Sequence, residues 1–89
     1  MGSKPQYRPE LLADKLRRIR AKLGEPSYDD MIVLLDLPEA RLHKNAIYYF
    51  ETGKRNPPLN VLLRYSELSG ISVNDLIDDR VSADSLFPS

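Results

Sequence analysis

Leucine and isoleucine recur along residues 10–23 at intervals of three or four, the pattern of a helix that buries one stripe of its surface. A glycine follows directly and is a common helix stop. The residues of this pattern are Leu12, Leu16, Ile19, Leu23 and Gly24. The folded part of the chain is therefore predicted to begin with an amphipathic helix.

A second helix is predicted after Ser27. The Ser27 hydroxyl, with Asp30 three residues later, resembles a capping box, and apolar residues follow through Leu35. Residues 36–43 leave their conformation open, because Pro38 is accepted both in the first turn of a helix and in a loop.

Three further helices are predicted in the second half of the chain. Apolar positions at helical spacing predict a helix over residues 44–52, which stops at Gly53. A proline-rich loop precedes a fourth helix that ends at Gly70, and Ser72 opens a short fifth helix. Five short helices without a convincing strand pattern predict a compact all-α domain whose helices pack at large angles.

The expected organisation is one domain over residues 10–79, with an arm over residues 1–9 and a tail over residues 80–89. A chain of 89 residues has room for a single core. No stretch approaches the roughly 20 consecutive apolar residues that cross a bilayer, and the N-terminus lacks the apolar core of a signal peptide. We therefore expect a cytoplasmic protein that has no membrane partner.

The formal net charge is zero, whereas nucleic-acid-binding domains are usually basic. The charges are unevenly distributed, because 12 of the 13 basic residues and only eight acidic residues precede Glu67. An acidic C-terminal end therefore offsets a basic remainder, and the zero total does not exclude a nucleic-acid partner.

Catalysis has little support among the residue types present. His43 is the sole histidine, no Gly-rich phosphate loop occurs, and no acid pair accompanies a nucleophile. The absence of cysteine removes thiolate metal ligands and disulfides. The sequence predicts a protein that is not an enzyme and that has no catalytic residue, metal, cofactor or small-molecule ligand.

Two stretches of the chain resemble a known family. The first is Leu16-Arg17-Arg18-Ile19-Arg20, and the second and more specific is Ile47-Tyr48-Tyr49-Phe50-Glu51-Thr52-Gly53-Lys54-Arg55-Asn56-Pro57. Both resemble motifs of the phage repressor and Cro family of helix-turn-helix domains, also called XRE, and the resemblance spans residues 10–78. It implies a five-helix, lambda-repressor-like domain that acts as a sequence-specific, DNA-binding transcriptional regulator.

The resemblance also implies roles for individual residues. The third helix is expected to lie in the major groove of double-stranded DNA, braced by the second helix. The side chains expected to read bases are Lys44, Asn45, Tyr48 and Tyr49. Those expected to contact phosphates are Tyr28, Lys54, Arg55 and Asn56. Packing against the preceding loop is the structural alternative for the two adjacent tyrosines.

The chain departs from the family pattern between helices 2 and 3. Relative to the tight turn expected of the motif, about five additional residues are present near Pro38 to Leu42. Tyr28 replaces a glutamine that often holds a phosphate, and His43 replaces the usual Ser or Thr cap. The connection between the two helices is therefore expected to be lengthened.

The charges of helix 1 are expected to have structural roles. The resemblance places Arg20 against Glu51 as a partly buried pair that joins helix 1 to helix 3, and a guanidinium can hold a carboxylate at two points. We expect this ion pair to orient the recognition helix without contacting DNA. The other basic residues of helix 1 are expected to form a solvated face paired with acids such as Asp14; they are Lys15, Arg17, Arg18 and Lys22.

A second function fits the same fold, namely a protein-interaction module of the antirepressor or antitoxin type. Zero net charge, the altered turn and two tyrosines suit a protein interface, in which tyrosine is enriched. If DNA is the partner, two copies on a two-fold site are the usual route to specificity, so a homodimer is a further hypothesis.

Overall fold

A computed structural model describes residues 9–88 of the chain. Its α-helices are α1 (Leu12–Lys22), α2 (Tyr28–Leu35), α3 (Lys44–Thr52), α4 (Leu59–Ser69), α5 (Val73–Ile77) and α6 (Ala83–Leu86), and a 3-10 turn spans Pro38–Ala40. No strand occurs within residues 9–88. The prediction of an all-α protein is confirmed. The predicted arm lies outside the described residues except for its last position.

The expected count of five helices is not confirmed, because residues 9–88 form six α-helices and the sixth lies where a tail was predicted. Ser82 begins α6 by accepting a hydrogen bond from the backbone N–H of Ser85, at 3.2 Å. Ala83 is buried and Phe87 packs against the core. The chain end is therefore held by apolar contact with the domain.

The apolar stripes of the first five helices meet in one core. α1 is central to it and contacts α3, α4, α5 and α6. The buried members are Leu12, Leu16, Ile19, Met31, Leu35, Ala46, Ile47, Phe50, Val61, Leu62, Tyr65 and Leu76. Because α3 packs on α1 and α2, the two earlier helices fix the position of α3. None of the described helices is long and apolar enough to cross a membrane.

One expectation for helix 1 is wrong, because Lys15 is buried. It was predicted on a solvated face, but its side chain is fully buried, and its ammonium donates hydrogen bonds to the carbonyls of Asp75, Leu76 and Asp78 at 2.7, 3.3 and 2.9 Å. These carbonyls lie at the C-terminal end of α5, where backbone acceptors lack helical partners. Burial lowers the pKa of Lys15, against the opposing effect of nearby acids.

The start of α1 is capped by a residue from the other end of the domain. The backbone N–H groups of Glu10 and Leu11 donate to the two carboxylate oxygens of Asp79, at 3.0 and 3.1 Å. These hydrogen bonds lower the pKa of Asp79. The segment after α5 is thereby tied to α1.

The segment that the sequence left open is a short excursion between α2 and α3. Asp36 ends α2 with φ 52°, the 3-10 turn follows, and Arg41 ends that turn with φ 49°. Arg64 of α4 closes the C-terminal end of α2, because its guanidinium donates to the carbonyls of Leu35 and Leu34 at 2.7 and 3.2 Å. The excursion therefore leaves from a firmly held helix end.

Candidate nucleic-acid interface

α3 presents the four predicted base-reading side chains outward. Lys44 and Asn45 are exposed in its first turn, Tyr48 is 42% exposed, and Tyr49 is half-buried. Ile47 on the opposite side is fully buried. His43 begins the helix, since its Nδ1 accepts a hydrogen bond from the backbone N–H of Asn45 at 3.3 Å. The helix phase thus separates an outward polar and aromatic face from the core.

Aromatic rings and cations gather at the C-terminal half of α3. The rings of Tyr28 and Tyr48 meet edge to face with centroids 6.4 Å apart, and those of Tyr48 and Tyr49 are 5.9 Å apart. The Lys54 ammonium lies 5.9 and 6.0 Å from the centroids of Tyr48 and Tyr49, and the Arg55 guanidinium carbon lies 5.4 Å from that of Tyr49. These five residues form what we call the tyrosine–cation cluster.

The end of α3 explains why the cations fold back over the tyrosines. Gly53 adopts φ 78°, a left-handed conformation that glycine accepts readily. The backbone N–H groups of Lys54 and Arg55 then both donate to the carbonyl of Tyr49, at 3.0 and 3.3 Å. Asn56, the last of the predicted phosphate-binding residues, is half-buried in the same loop. The turn therefore holds both cationic side chains beside the outward face of α3.

Arg20 and Glu51 meet in the two-point geometry expected of guanidinium and carboxylate. Arg20 Nε donates to Glu51 Oε2 at 2.7 Å, and Arg20 Nη2 donates to Oε1 at 3.1 Å. The Glu51 side chain is 2% exposed and that of Arg20 is 24% exposed. Arg20 also donates to the carbonyl of Pro26 at 3.1 Å and lies 4.9 Å from the centroid of Tyr28. One arginine thus links α1 to both α2 and α3.

A second arginine of α1 holds the same end of α3, which the sequence did not indicate. Arg17 Nη1 donates to the carbonyl of Glu51 at 2.6 Å and Nη2 to the carboxylate of Asp14 at 3.1 Å. Near Glu51 lies the buried hydroxyl of Tyr65, which has no hydrogen-bond partner within residues 9–88. Burial, together with the charge of Glu51, raises the pKa of Tyr65.

Exposed cations that form no ion pair within residues 9–88 are concentrated around α3. They are Lys22, Arg41, Lys44, Lys54 and Arg55. All but Lys22 lie in the segments just before α3, at its start or just after it. Most other cations of the described chain are used in ion pairs or at helix ends. The local charge near α3 is therefore more positive than the net charge of the chain suggests.

Arg41 is a candidate residue that the sequence did not reveal. It is exposed at the end of the 3-10 turn and lines a groove of about 560 Å³ beside α3. Asn45, Tyr49 and Arg55 line the same groove, so it adjoins the tyrosine–cation cluster. No sequence signal placed Arg41 there, because the conformation of residues 36–43 was open.

Comparisons with known proteins give no relative for this chain. It matches no protein-family model, and no curated protein sequence and no solved structure is significantly similar to it.

Proposed function

We propose that this protein is a sequence-specific, DNA-binding transcriptional regulator of the XRE type. In this proposal α2 and α3 act as a helix-turn-helix with a lengthened connection. α3 enters the major groove, and its outward side chains meet the base edges. The proposal rests on motif resemblance and on the chemistry gathered around α3.

The observation that supports it most is the concentration of unpaired cations around α3. Phosphate neutralisation by lysine and arginine supplies most of the affinity of proteins for DNA. Arg41 and Lys44 precede or begin the helix, while Lys54 and Arg55 follow it. A helix with cations at both ends is suited to lie between the phosphates that border a groove.

The outward face of α3 has side chains suited to base edges. Asn45 has the amide that bonds adenine at two points, and Lys44 has a donor suited to guanine. Both are exposed at the start of the helix. The tyrosines follow one turn later, where Tyr48 contacts both Tyr28 and Lys54. A ring held in this way loses little conformational entropy when it contacts DNA.

Titration of a fluorescent random-sequence duplex by anisotropy tests the proposal. We expect binding that weakens steeply between low and moderate salt. The double variant Lys54→Ala/Arg55→Ala should lose most of it. Lys22→Ala is a matched control, because Lys22 is also an exposed, unpaired cation but lies at the end of α1. Absence of wild-type binding at low salt would reject the proposal.

A protein-interaction module is the second candidate, and one feature favours it. Val33 is 73% exposed on α2, beside a pocket of about 330 Å³ with apolar lining from Ile32, Leu37 and Leu42. Exposed apolar surface of this kind is common where proteins meet. Binding of a protein partner there should depend weakly on salt and should be reduced by the uncharged, polar substitution Val33→Gln, whereas DNA binding should not be affected.

A further inference from the structure

The groove beside α3 is built by the excursion between α2 and α3. Arg41, which ends the 3-10 turn, and His43, which begins α3, line it together with residues of α3, of the loop after α3 and of α4. Tyr49 and Phe50 contribute apolar surface, and Arg55 and Asn60 add polar groups. The groove therefore combines two guanidinium groups with amide donors and two aromatic rings.

The backbone at Arg41 is unusual for a residue with a side chain. Its φ of 49° and ψ of 47° place it in the left-handed region, which glycine and asparagine occupy more readily than arginine. The side chain is exposed and forms no hydrogen bond and no ion pair within residues 9–88. A strained position with an unpaired charge at a groove suggests that the charge acts on a ligand.

Arg55 differs from Arg41 in how it is held. Its backbone N–H bonds the carbonyl of Tyr49, and its guanidinium lies over the Tyr49 ring. The guanidinium N–H donors remain available, because none of them forms a hydrogen bond within residues 9–88. The groove thus has two exposed arginines, of which Arg55 lies beside an aromatic ring.

We propose that this groove holds a phosphodiester of bound DNA between Arg41 and Arg55, so that the excursion between α2 and α3 adds a phosphate contact. The inference rests on the proposed DNA-binding function. Two guanidinium groups present planar sets of donors that match phosphate oxygens. The open shape of the groove suits a continuous strand, and the wall of Tyr49 and Phe50 suits the sugar face.

The salt dependence of binding measures the number of phosphate contacts, which makes it the sharpest test. Each phosphate neutralised on duplex DNA adds about 0.9 to the slope of log affinity against log salt. Arg41→Gln should lower that slope by about 0.9 and weaken binding roughly threefold more at 50 mM than at 200 mM salt. Arg41→Lys should retain the slope, because lysine keeps the charge.

The controls separate this inference from the function on which it rests. Wild-type protein is measured first, and failure to bind any duplex would overturn both proposals. If the wild type binds DNA, and Arg55→Gln reduces the salt slope while Arg41→Gln leaves it unchanged, the inference about the groove is overturned and the proposed function is not. Lys22→Gln should leave the slope unchanged. Thermal melting of each variant, followed by circular dichroism, shows whether it is folded under the binding conditions.

A free phosphate-containing anion is the alternative ligand for the two arginines of the groove. Inorganic phosphate or a mononucleotide, titrated against the protein without DNA, should produce no saturable shift in the amide resonances of the groove residues in two-dimensional NMR. The assignment to a DNA phosphodiester would be overturned if either ligand bound saturably, if Arg41→Gln abolished that binding, and if Arg41→Gln left the salt slope of DNA binding unchanged.

Discussion

Neutralising Glu51 should destabilise the domain far more than neutralising a surface glutamate whose ion pair is equally short. In the Arg20–Glu51 pair and in the Arg64–Glu67 pair, the shortest distance between nitrogen and oxygen is 2.7 Å. The exposures differ, because the Glu51 side chain is 2% exposed and that of Glu67 is 64% exposed. Glu51→Gln and Glu67→Gln therefore compare the same chemical change in buried and solvated surroundings.

The magnitudes follow from burial. A hydrogen bond to a charged group contributes about 1.5–3 kcal/mol, and breaking a buried pair by removing one partner costs about 3–5 kcal/mol. Arg20 retains some contact with water and its bond to Pro26, which reduces the penalty when the carboxylate is neutralised. We expect Glu51→Gln to lower the free energy of unfolding by about 2 kcal/mol, and Glu67→Gln by less than about 1 kcal/mol.

Urea denaturation followed by circular dichroism measures both values. A chain of this length is expected to have a free energy of unfolding of about 4–13 kcal/mol, so a loss of 2 kcal/mol is well resolved and leaves the variant folded. The corresponding shift in Tm is about 8–16 °C. Arg20→Met should cost more than Glu51→Gln, because it leaves a carboxylate buried without its cation.

Equal destabilisation by Glu51→Gln and Glu67→Gln would refute the reasoning. Binding provides a second readout, because a pair that only orients α3 makes no contact with phosphate. The salt slope of DNA binding should therefore be the same for Glu51→Gln and the wild type, even where affinity falls. A changed slope would indicate that the pair contributes directly to the interface.

Three other predictions concern single side chains. Asp79→Ala should lower Tm at pH 7, and the difference in Tm from the wild type should narrow as pH falls below about 4. The reason is that Asp79, whose pKa is lowered in the folded state, contributes stability only while its carboxylate is ionised. A difference in Tm at pH 3 equal to that at pH 7 would contradict the role of Asp79 as a cap of α1. Tyr65→Phe should leave the free energy of unfolding unchanged or raise it by up to about 1–2 kcal/mol, because the buried hydroxyl has no hydrogen-bond partner within residues 9–88. A clear loss of stability in urea denaturation would indicate that the hydroxyl has a partner. Asp29→Asn should raise DNA affinity about twofold in the anisotropy assay, because Asp29 is an exposed acid beside Tyr28 at the start of α2. Unchanged affinity would indicate that this end of α2 faces away from DNA.

The helices were predictable because their determinants are local. Apolar spacing, Ser27 and Ser72 as caps, and Gly53 as a stop lie within a few residues of the structure that they specify. The predicted range of α3 coincides with the observed one. α6 has the same kind of signal, since Ser82 caps it, but a single helical turn is too short for periodicity to show.

Contacts between distant parts of the chain were harder to predict. Lys15 lies on the same helical face as Leu12, Leu16 and Ile19, which is a signal of burial, but its acceptors are some 60 residues away. Arg64 and the end of α2 have no local signal at all. The groove residue Arg41 depends on a backbone conformation that its neighbours do not determine.

The exposure of the short turn at Pro38–Ala40 affects which substitutions the chain can accept. None of its three residues is buried, and left-handed residues lie two positions before it, at Asp36, and directly after it, at Arg41. Exchange for another turn of equal span would leave the core untouched while altering the wall of the groove. Folding stability and the proposed phosphate contact are thereby assigned to separate parts of the chain, so variation in this turn is expected to be tolerated where variation in α1 is not.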